Sequence, residues 1–240
     1  MEQNLKLSLD DPSTLVDPTI YRKLVGSLIY ATTTRPDISF AIGVLSRFMQ
    51  QPRETHWLAA KHILRYLQGT QHYGLKYSKR NQFSLVGYSD SDYAGDSTDG
   101  KSTSGYLMYL GSVVISWRSK KQFVPVASSS EAEYMATFEA TREILWFRRI
   151  LEDLQTPQIS SIPLFIDNQF AIKMAKNSVF HDHTKHINTK FHLIWHYVKD
   201  GTIYLKYCPT AHQPADILTK ALGREKIEKF REMLGLTPSV

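Results

Sequence analysis

The stretch Ser84-Leu85-Val86-Gly87-Tyr88-Ser89-Asp90-Ser91-Asp92 decides the predicted fold of this 240-residue chain. Apolar and polar residues alternate along it, as is typical of a half-buried β-strand, and the loop-forming Ala94-Gly95-Asp96 follows. Asp90 is therefore predicted to lie near the exit of a strand.

Three further acidic residues stand where a strand ends or a helix begins. Glu133 follows a serine run and opens a segment whose apolar residues recur at helical spacing. Asp167 comes directly after the short apolar strand Ile162–Ile166 and before a predicted helix. Asp216 stands two residues after a proline in a helix-entry position. In combination with Asp90, these residues predict a two-metal site.

Each acid, taken singly, also has an ordinary structural explanation. Ser130 and Glu133 fit a capping box, and Asp167 could cap the helix that follows it. Asp216 would be favoured by a helix dipole, and Asp90 could be an exposed strand residue. The combination of four acids in one order favours the metal site.

Seven blocks of sequence carry a resemblance to a known family. They include Ser128-Ser129-Ser130-Glu131-Ala132-Glu133-Tyr134 and Ala215-Asp216-Ile217-Leu218-Thr219-Lys220. The other blocks are 87–96, 103–106, 116–122, 167–168 and 185–187. Through these blocks the chain resembles the ribonuclease H domain at the C-terminal end of the Pol polyprotein of copia-type LTR retrotransposons.

This resemblance implies the residues of the site. In the family, the acids matching Asp90, Glu133, Asp167 and Asp216 hold two divalent metal ions, and they are the predicted catalytic and metal-binding residues. The expected ions are two Mg²⁺, for which Mn²⁺ can substitute, and Mg²⁺ prefers oxygen ligands. Four carboxylates without metal would repel one another, so at least one pKa should be raised.

Three other residues are predicted near this set. Glu131 and Asp92 rank second as metal ligands. His212 is a predicted catalytic residue for proton transfer or product release, because cellular ribonucleases H have a histidine in the loop before their last aspartate.

The predicted function is metal-dependent hydrolysis of the RNA strand of RNA/DNA hybrids during reverse transcription. Two hard cations about 3.5–4 Å apart can serve both the attacking water and the leaving oxygen. The expected partners are the hybrid and the remaining reverse transcriptase domains, with no small-molecule substrate. The alternatives left open are a non-catalytic nucleic-acid-binding remnant of a truncated retrotransposon Pol and a degraded reading frame without selected function.

The residues before the predicted domain form a small helical region. Helices are predicted over 21–32, 38–49 and 55–67, separated by proline breaks, after a flexible leader at 1–20. The region 21–78 resembles the thumb-like region that follows the polymerase palm in copia-type reverse transcriptases. No Tyr-x-Asp-Asp polymerase motif occurs, so the chain is expected to be a Pol fragment without polymerase activity.

The predicted fold class is therefore α/β. A ribonuclease H-like domain at 82–222 has a mixed five-stranded sheet with flanking helices, and a C-terminal helix and tail occupy 223–240. Gly111-Ser112 should form a tight turn between two antiparallel strands. The predicted strands cover 83–89, 104–110, 113–117, 162–166 and 202–207.

Charge and aromatic residues predict where nucleic acid binds. The chain carries a net charge of +6, of which +5 comes from 11 basic and 6 acidic residues within 1–80. In the helical region, Arg47 and Arg65, with Arg53 and Lys61, are predicted to contact phosphates or else to form a solvated face. In the sheet, the predicted hybrid contacts are Trp117, Arg118, Lys120 and Lys121, with a place in the core as the alternative for Trp117.

The histidines offer a different interpretation, a zinc site. His181, His183, His186, His192 and His196 are dense in sequence, but no Cys-x-x-Cys accompanies them and the only cysteine is Cys208. Packing or a place beside the substrate is therefore favoured for these histidines. A lone cysteine excludes an intramolecular disulfide, and no apolar run approaches the roughly 20 residues of a membrane span, so no membrane partner is expected. The expected location is the cytoplasm, including virus-like particles, with the nucleus as an alternative.

Overall fold

The computed structural model describes residues 1, 3, 5–77, 83–96, 98–176 and 185–238, with the backbone alone over 185–191. Seven α-helices and seven strands are found in this part of the chain. The helices are α1 Pro18–Ala31, α2 Ser39–Leu45, α3 Glu54–Gly69, α4 Ser129–Asp153, α5 Gln169–Lys176, α6 Lys185–Lys199 and α7 Arg224–Met233. The strands are β1 Tyr73–Leu75, β2 Leu85–Asp92, β3 Thr103–Leu110, β4 Val113–Lys121, β5 Ile162–Ile166, β6 Ile203–Tyr207 and β7 Leu236–Pro238.

Five strands form one mixed sheet in the order β4-β3-β2-β5-β6. The strands β2, β3 and β4 are antiparallel neighbours, whereas β5 runs parallel to β2 and β6 runs parallel to β5. Helix α4 packs on β2 and β3, and the core between helix and sheet includes Leu85, Met108, Ile144 and Leu164. This topology confirms the predicted α/β fold class, with a mixed five-stranded sheet and flanking helices.

The helical region has a core of its own. Helices α1, α2 and α3 enclose Tyr21, Val25, Leu45 and Ile63, all buried. Helix α1 begins at Pro18, three residues earlier than predicted, because the Asp17 side chain accepts a hydrogen bond from the Thr19 amide at 2.7 Å.

Residues before α1 contact this helical core. Leu7 is buried in it, and the His56 ring lies 3.0 Å from the Ser8 carbonyl oxygen. An isolated β-bridge also joins Leu15 to Arg53. The segment that was expected to be a loose leader is therefore docked in this structure over at least part of its length.

The helical region also contacts the sheet domain directly. The indole N–H of Trp117 on β4 donates to the Thr32 carbonyl at 3.0 Å, and Arg47 pairs with Asp96 at 2.6 Å. Strand β1 pairs antiparallel with β7 of the C-terminal tail. The domain boundaries remain predictions, and the segments that they separate pack against one another.

Several local boundaries differ from the prediction. The predicted helix 38–49 is α2 flanked by the 3₁₀-helices Pro36–Ile38 and Ser46–Phe48. Strand β4 continues four residues further, to Lys121. The Gly111-Ser112 turn is confirmed, and Gly111 has the left-handed φ of 67° that glycine tolerates. Within the described residues, no helix combines the length and apolarity needed to span a bilayer.

Candidate active site

Asp90 lies on the strand at which the sheet changes from antiparallel to parallel pairing. It is in β2, opposite Gly105 of β3, and its side chain is buried. Strand β2 has the antiparallel β3 on one side and the parallel β5 on the other, so neighbouring chain segments diverge at its carboxyl end. Crevices of this kind in α/β sheets are where ligands commonly bind.

Glu133 approaches Asp90 from α4, and it is not needed as a helix cap. The Ser128 side chain accepts a hydrogen bond from the Glu131 amide at 3.2 Å, while Glu131 Oε2 accepts from the Ala127 amide at 2.8 Å. The predicted Ser130–Glu133 capping box is therefore wrong. Glu133 lies in the second turn, where it is buried and its Oε1 accepts from the Ser91 amide at 3.0 Å.

Asp167 follows β5, and it does not cap helix α5. Its neighbour Asn168 caps α5 instead, since Asn168 Oδ1 accepts from the Ala171 amide at 2.9 Å. Asp167 Oδ2 accepts a hydrogen bond from the Thr210 hydroxyl at 2.9 Å. The carboxylate thus faces the loop after β6 and the other acids.

Three of the four predicted acids converge. One carboxylate oxygen each from Asp90, Glu133 and Asp167 lie within 4.8 Å of one another, and we refer to these residues as the acid cluster. Glu133 Oε2 is buried without a hydrogen-bond partner. Asp90 and Glu133 are buried and Asp167 is half-buried. Converging carboxylates of this kind, with an unsatisfied buried oxygen, fit a hard divalent cation, which would both neutralise and ligate them.

Asp216 lies beside the acid cluster in a different electrostatic setting. It is fully buried in the 3₁₀-helix Pro214–Leu218, which begins at the proline that was expected to open a helix. Its Oδ1 is 2.9 Å from Nζ of Lys220, and its Oδ2 is 3.6 Å from Nζ of Lys226. Lys220 also lies 3.6 Å from Asp90 Oδ2, so one ammonium group bridges the two aspartates.

Burial and mutual repulsion raise the pKa of every acid at this site. Burial, opposed by Lys220 and reinforced by Asp216, raises the pKa of Asp90 to about 6. Burial and then the charges of Asp90 and Asp167 hold the pKa of Glu133 well above its ordinary value. Burial likewise raises the pKa of Asp167 and of Asp216. The raised pKa expected for clustered carboxylates is therefore present.

Lys220 remains a cation in this setting. Burial alone would lower the pKa of Lys220, but Asp90 and Asp216 raise it above its usual value. A charged ammonium so placed offsets part of the repulsion between the two carboxylates.

The residues of lower rank occupy different places. Asp92 is half-buried at the end of β2, and burial raises its pKa. Glu131 belongs to the N-terminal cap of α4. His212 is exposed in the 3₁₀-helix Thr210–His212, the segment whose first residue donates to Asp167. Its catalytic role stays a prediction.

The predicted nucleic-acid contacts divide into two groups. The first group already has partners within the protein. Trp117 donates a hydrogen bond to Thr32, and Arg47 and Lys121 both pair with Asp96. The more accessible cations are Arg118, which pairs loosely with Glu139 at 3.4 Å, Lys120, which lies 4.4 Å from the Phe123 ring centroid, and Arg65 on α3.

The histidines predicted as an alternative site are only partly described. His181 and His183 lie outside the described residues, as does the His186 side chain. His192 and His196 are exposed on α6, and His196 Nε2 is 3.9 Å from Asp200. Within the described side chains, the residues close enough to ligate one ion are those of the acid cluster.

Sequence reasoning missed several residues of the site. The Thr219 hydroxyl donates to Asp90 Oδ2, and Gln213 is wholly buried among backbone groups next to the aspartates. Gly105 allows the 3₁₀-helix of Asp216 to touch the sheet, because a Cβ there would lie 2.7 Å from the Leu218 Cβ. For Thr219, as for Lys220, the one signal in the sequence was its position in the block 215–220 around Asp216.

Comparison with known proteins places this arrangement in a family. The retrovirus-related Pol polyprotein from transposon RE1 of Arabidopsis thaliana is 44% identical over 237 residues, which cover 99% of this chain. The chain belongs to the copia-type retrovirus-related Pol polyproteins. This Pol segment is also 42% identical over 217 residues, or 90% of its length, to the Pol polyprotein from transposon TNT 1-94 of Nicotiana tabacum. It spans 16% of the length of each relative.

No family model matches this Pol segment. Among solved structures, LC11-RNase H1 in complex with RNA/DNA hybrid is similar, with a TM-score of 0.43 and 16% sequence identity. The similarity covers 61% of the Pol segment and 98% of that chain.

Proposed function

We propose that this Pol segment is a ribonuclease H that hydrolyses the RNA strand of RNA/DNA hybrids with the help of divalent metal ions. The observation that carries the proposal is the convergence of the acid cluster at the carboxyl end of β2. Neighbouring residues cap the helices, so the ordinary structural explanation fails for Glu133 and Asp167.

The ligands proposed for the metals are Asp90, Glu133 and Asp167, with Asp216 completing the site. Bound Mg²⁺ or Mn²⁺ would supply Lewis-acid stabilisation of the phosphate and activation of water. The chain's own contribution is to hold the carboxylates on rigid elements in a buried crevice. Ser91, Thr210 and Thr219 fix their orientation through hydrogen bonds, as partners of metal ligands commonly do.

Lys220 affects both the charge of this site and the availability of Asp216 as a ligand. In the absence of other cations its ammonium neutralises part of the charge of Asp90 and Asp216. Asp216 therefore has to loosen this ion pair, or share its oxygens, before it can ligate an ion.

The substrate proposed is a hybrid duplex, held mainly through its backbone. Arg118 and Lys120 lie on the edge strand β4, and Arg65 lies on α3, so phosphate contacts from both regions are geometrically accessible. Recognition by shape and by 2′-hydroxyl groups predicts weak sequence preference. The remaining reverse transcriptase domains are proposed partners.

The test is cleavage of a 5′-labelled RNA strand annealed to DNA, first in Mg²⁺ and then in Mn²⁺. We expect RNA cuts in the hybrid, no cuts in the DNA strand, and a loss of activity by orders of magnitude in Asp167→Asn, which keeps the shape of the side chain and removes its charge. Cleavage that persists in Asp167→Asn contradicts the assignment of the site. A wild-type chain that binds the hybrid without cutting it supports a non-catalytic remnant.

A further inference from the structure

The Gln213 side chain connects three segments that carry the carboxylates of the site. It is completely buried. Its Nε2 donates to the Ser89 carbonyl oxygen at 3.0 Å and, at the longer distance of 3.5 Å, to that of Phe165. Its Oε1 accepts from the Ala215 amide at 3.4 Å. Each of these partners lies within two residues of Asp90, Asp167 or Asp216.

The place that Gln213 occupies is a gap in the sheet. Strands β2 and β5 are paired at Gly87 with Leu164 and at Tyr88 with Phe165. Beyond these pairs β2 continues beside β3 and β5 continues beside β6. The Ser89 carbonyl therefore bonds to the Gln213 amide where the β2–β5 ladder has ended.

A buried amide group in this gap requires hydrogen-bond partners. A leucine has similar volume and would avoid the desolvation of a polar group, whereas a buried amide is tolerated when its hydrogen bonds are made. The orientation of the amide is set by its partners, because two carbonyl oxygens need the N–H donors and the Ala215 N–H needs the carbonyl.

We propose that Gln213 is a positioning residue that sets the opening between β2 and β5, and with it the spacing of Asp90, Asp167 and Asp216 for metal binding. This inference rests on the proposed function only in treating these acids as metal ligands. Gln213 contacts backbone groups on either side of the carboxylates and acts through them.

The chain offers a matched control in Gln158, at the opposite end of β2. Its Oε1 accepts from the Leu85 amide at 2.9 Å and its Nε2 donates to the Phe83 carbonyl at 2.6 Å. Gln158→Leu thus removes two side-chain-to-backbone hydrogen bonds around the same strand, far along it from the acids.

The experiment measures Mn²⁺ affinity by isothermal titration calorimetry for wild type, Gln213→Leu and Gln158→Leu, together with hybrid cleavage. For Gln213→Leu we expect an affinity loss of about tenfold or more. We also expect a fall in kcat of about 100-fold, with an unchanged KM for the hybrid. For Gln158→Leu we expect a lower Tm and the Mn²⁺ affinity of wild type.

Other outcomes separate this inference from the proposed function. If wild type binds Mn²⁺ but does not cut RNA, the proposed function fails and the two affinities still decide the role of Gln213. If Gln213→Leu binds Mn²⁺ like wild type, or loses no more affinity than Gln158→Leu, the positioning role is refuted. A wild-type chain that binds no Mn²⁺ refutes both.

A measurement on unmodified protein covers the case in which Gln213→Leu does not fold. In ¹⁵N-labelled wild type, the side-chain amide signal of Gln213 should shift when Mg²⁺ is added, because its three partners flank the ligands. The signal of Gln158 should stay in place. Equal behaviour of the two signals would refute the inference.

Discussion

Gly105→Ala tests whether the close approach of the Asp216 segment to the sheet matters for activity. Gly105 lies opposite Asp90 in the β2–β3 register. An added Cβ would lie 2.7 Å from the Leu218 Cβ and 2.9 Å from the Thr219 Cγ2. Since favourable carbon contacts are about 3.5–4.0 Å, the 3₁₀-helix Pro214–Leu218 would have to move by roughly 1 Å.

The size of the effect follows from this displacement. Overpacking of a close-packed interior costs about 1–3 kcal/mol of unfolding free energy. A shift of about 1 Å in a reacting group can lower kcat by roughly 100-fold. We therefore expect a moderate loss of stability and a much larger loss of hybrid cleavage.

The assay compares Gly105→Ala with Gly26→Ala by chemical denaturation and by single-turnover cleavage. Gly26 is a suitable control because it lies within α1, where an added Cβ would meet nothing within 4 Å. Its replacement should stabilise the protein by about 0.5–1 kcal/mol and leave cleavage unchanged. Wild-type cleavage by a folded Gly105→Ala would refute the argument that this contact positions Asp216.

Three further predictions concern hydrogen bonds, ion pairs and pH. Thr210→Val removes the hydroxyl that donates to Asp167, and single-turnover assays should show cleavage about 10–100-fold slower with an unchanged Tm. Asp96→Ala leaves Arg47 and Lys121 without their shared carboxylate, so urea unfolding should show a loss of about 1–3 kcal/mol. In EDTA, wild type should lose stability relative to Asp90→Asn as pH rises from about 4 to about 6. The pKa of the Asp90 carboxyl is about 6 in the folded protein and about 4 in the unfolded chain, so the folded state binds the proton more tightly and loses this advantage as the carboxyl ionises. Thermal melts across that range check the sign, and a constant difference between the two proteins would contradict it.

The strands could be predicted because their signals are local, and alternation along 84–92 defines one of them. The meeting of the acids was expected from their order along the chain and from the resemblance to the ribonuclease H family. The exact start of α4 could not be predicted in the same way. Three successive serines offer nearly equivalent caps, and tertiary contacts between Glu133 and β2 select Ser128.

The partners of the cations and of Trp117 could not be predicted from local sequence. Trp117 and Thr32 are separated by 85 residues, and Arg47 and Asp96 by 49. Their contacts exist because the helical region packs on β4, a docking that strand and helix patterns do not encode. The same holds for Gln213, whose partner Ser89 is 124 residues away.

The most direct test of the proposed metal site is anomalous diffraction from crystals of the wild-type chain grown with Mn²⁺ and a non-cleavable hybrid. An anomalous peak within coordination distance of Asp90, Glu133 and Asp167, lost in Asp90→Asn, is the result that we predict. Mn²⁺ bound only elsewhere, with the hybrid in place and the acid cluster without an ion, would contradict the account.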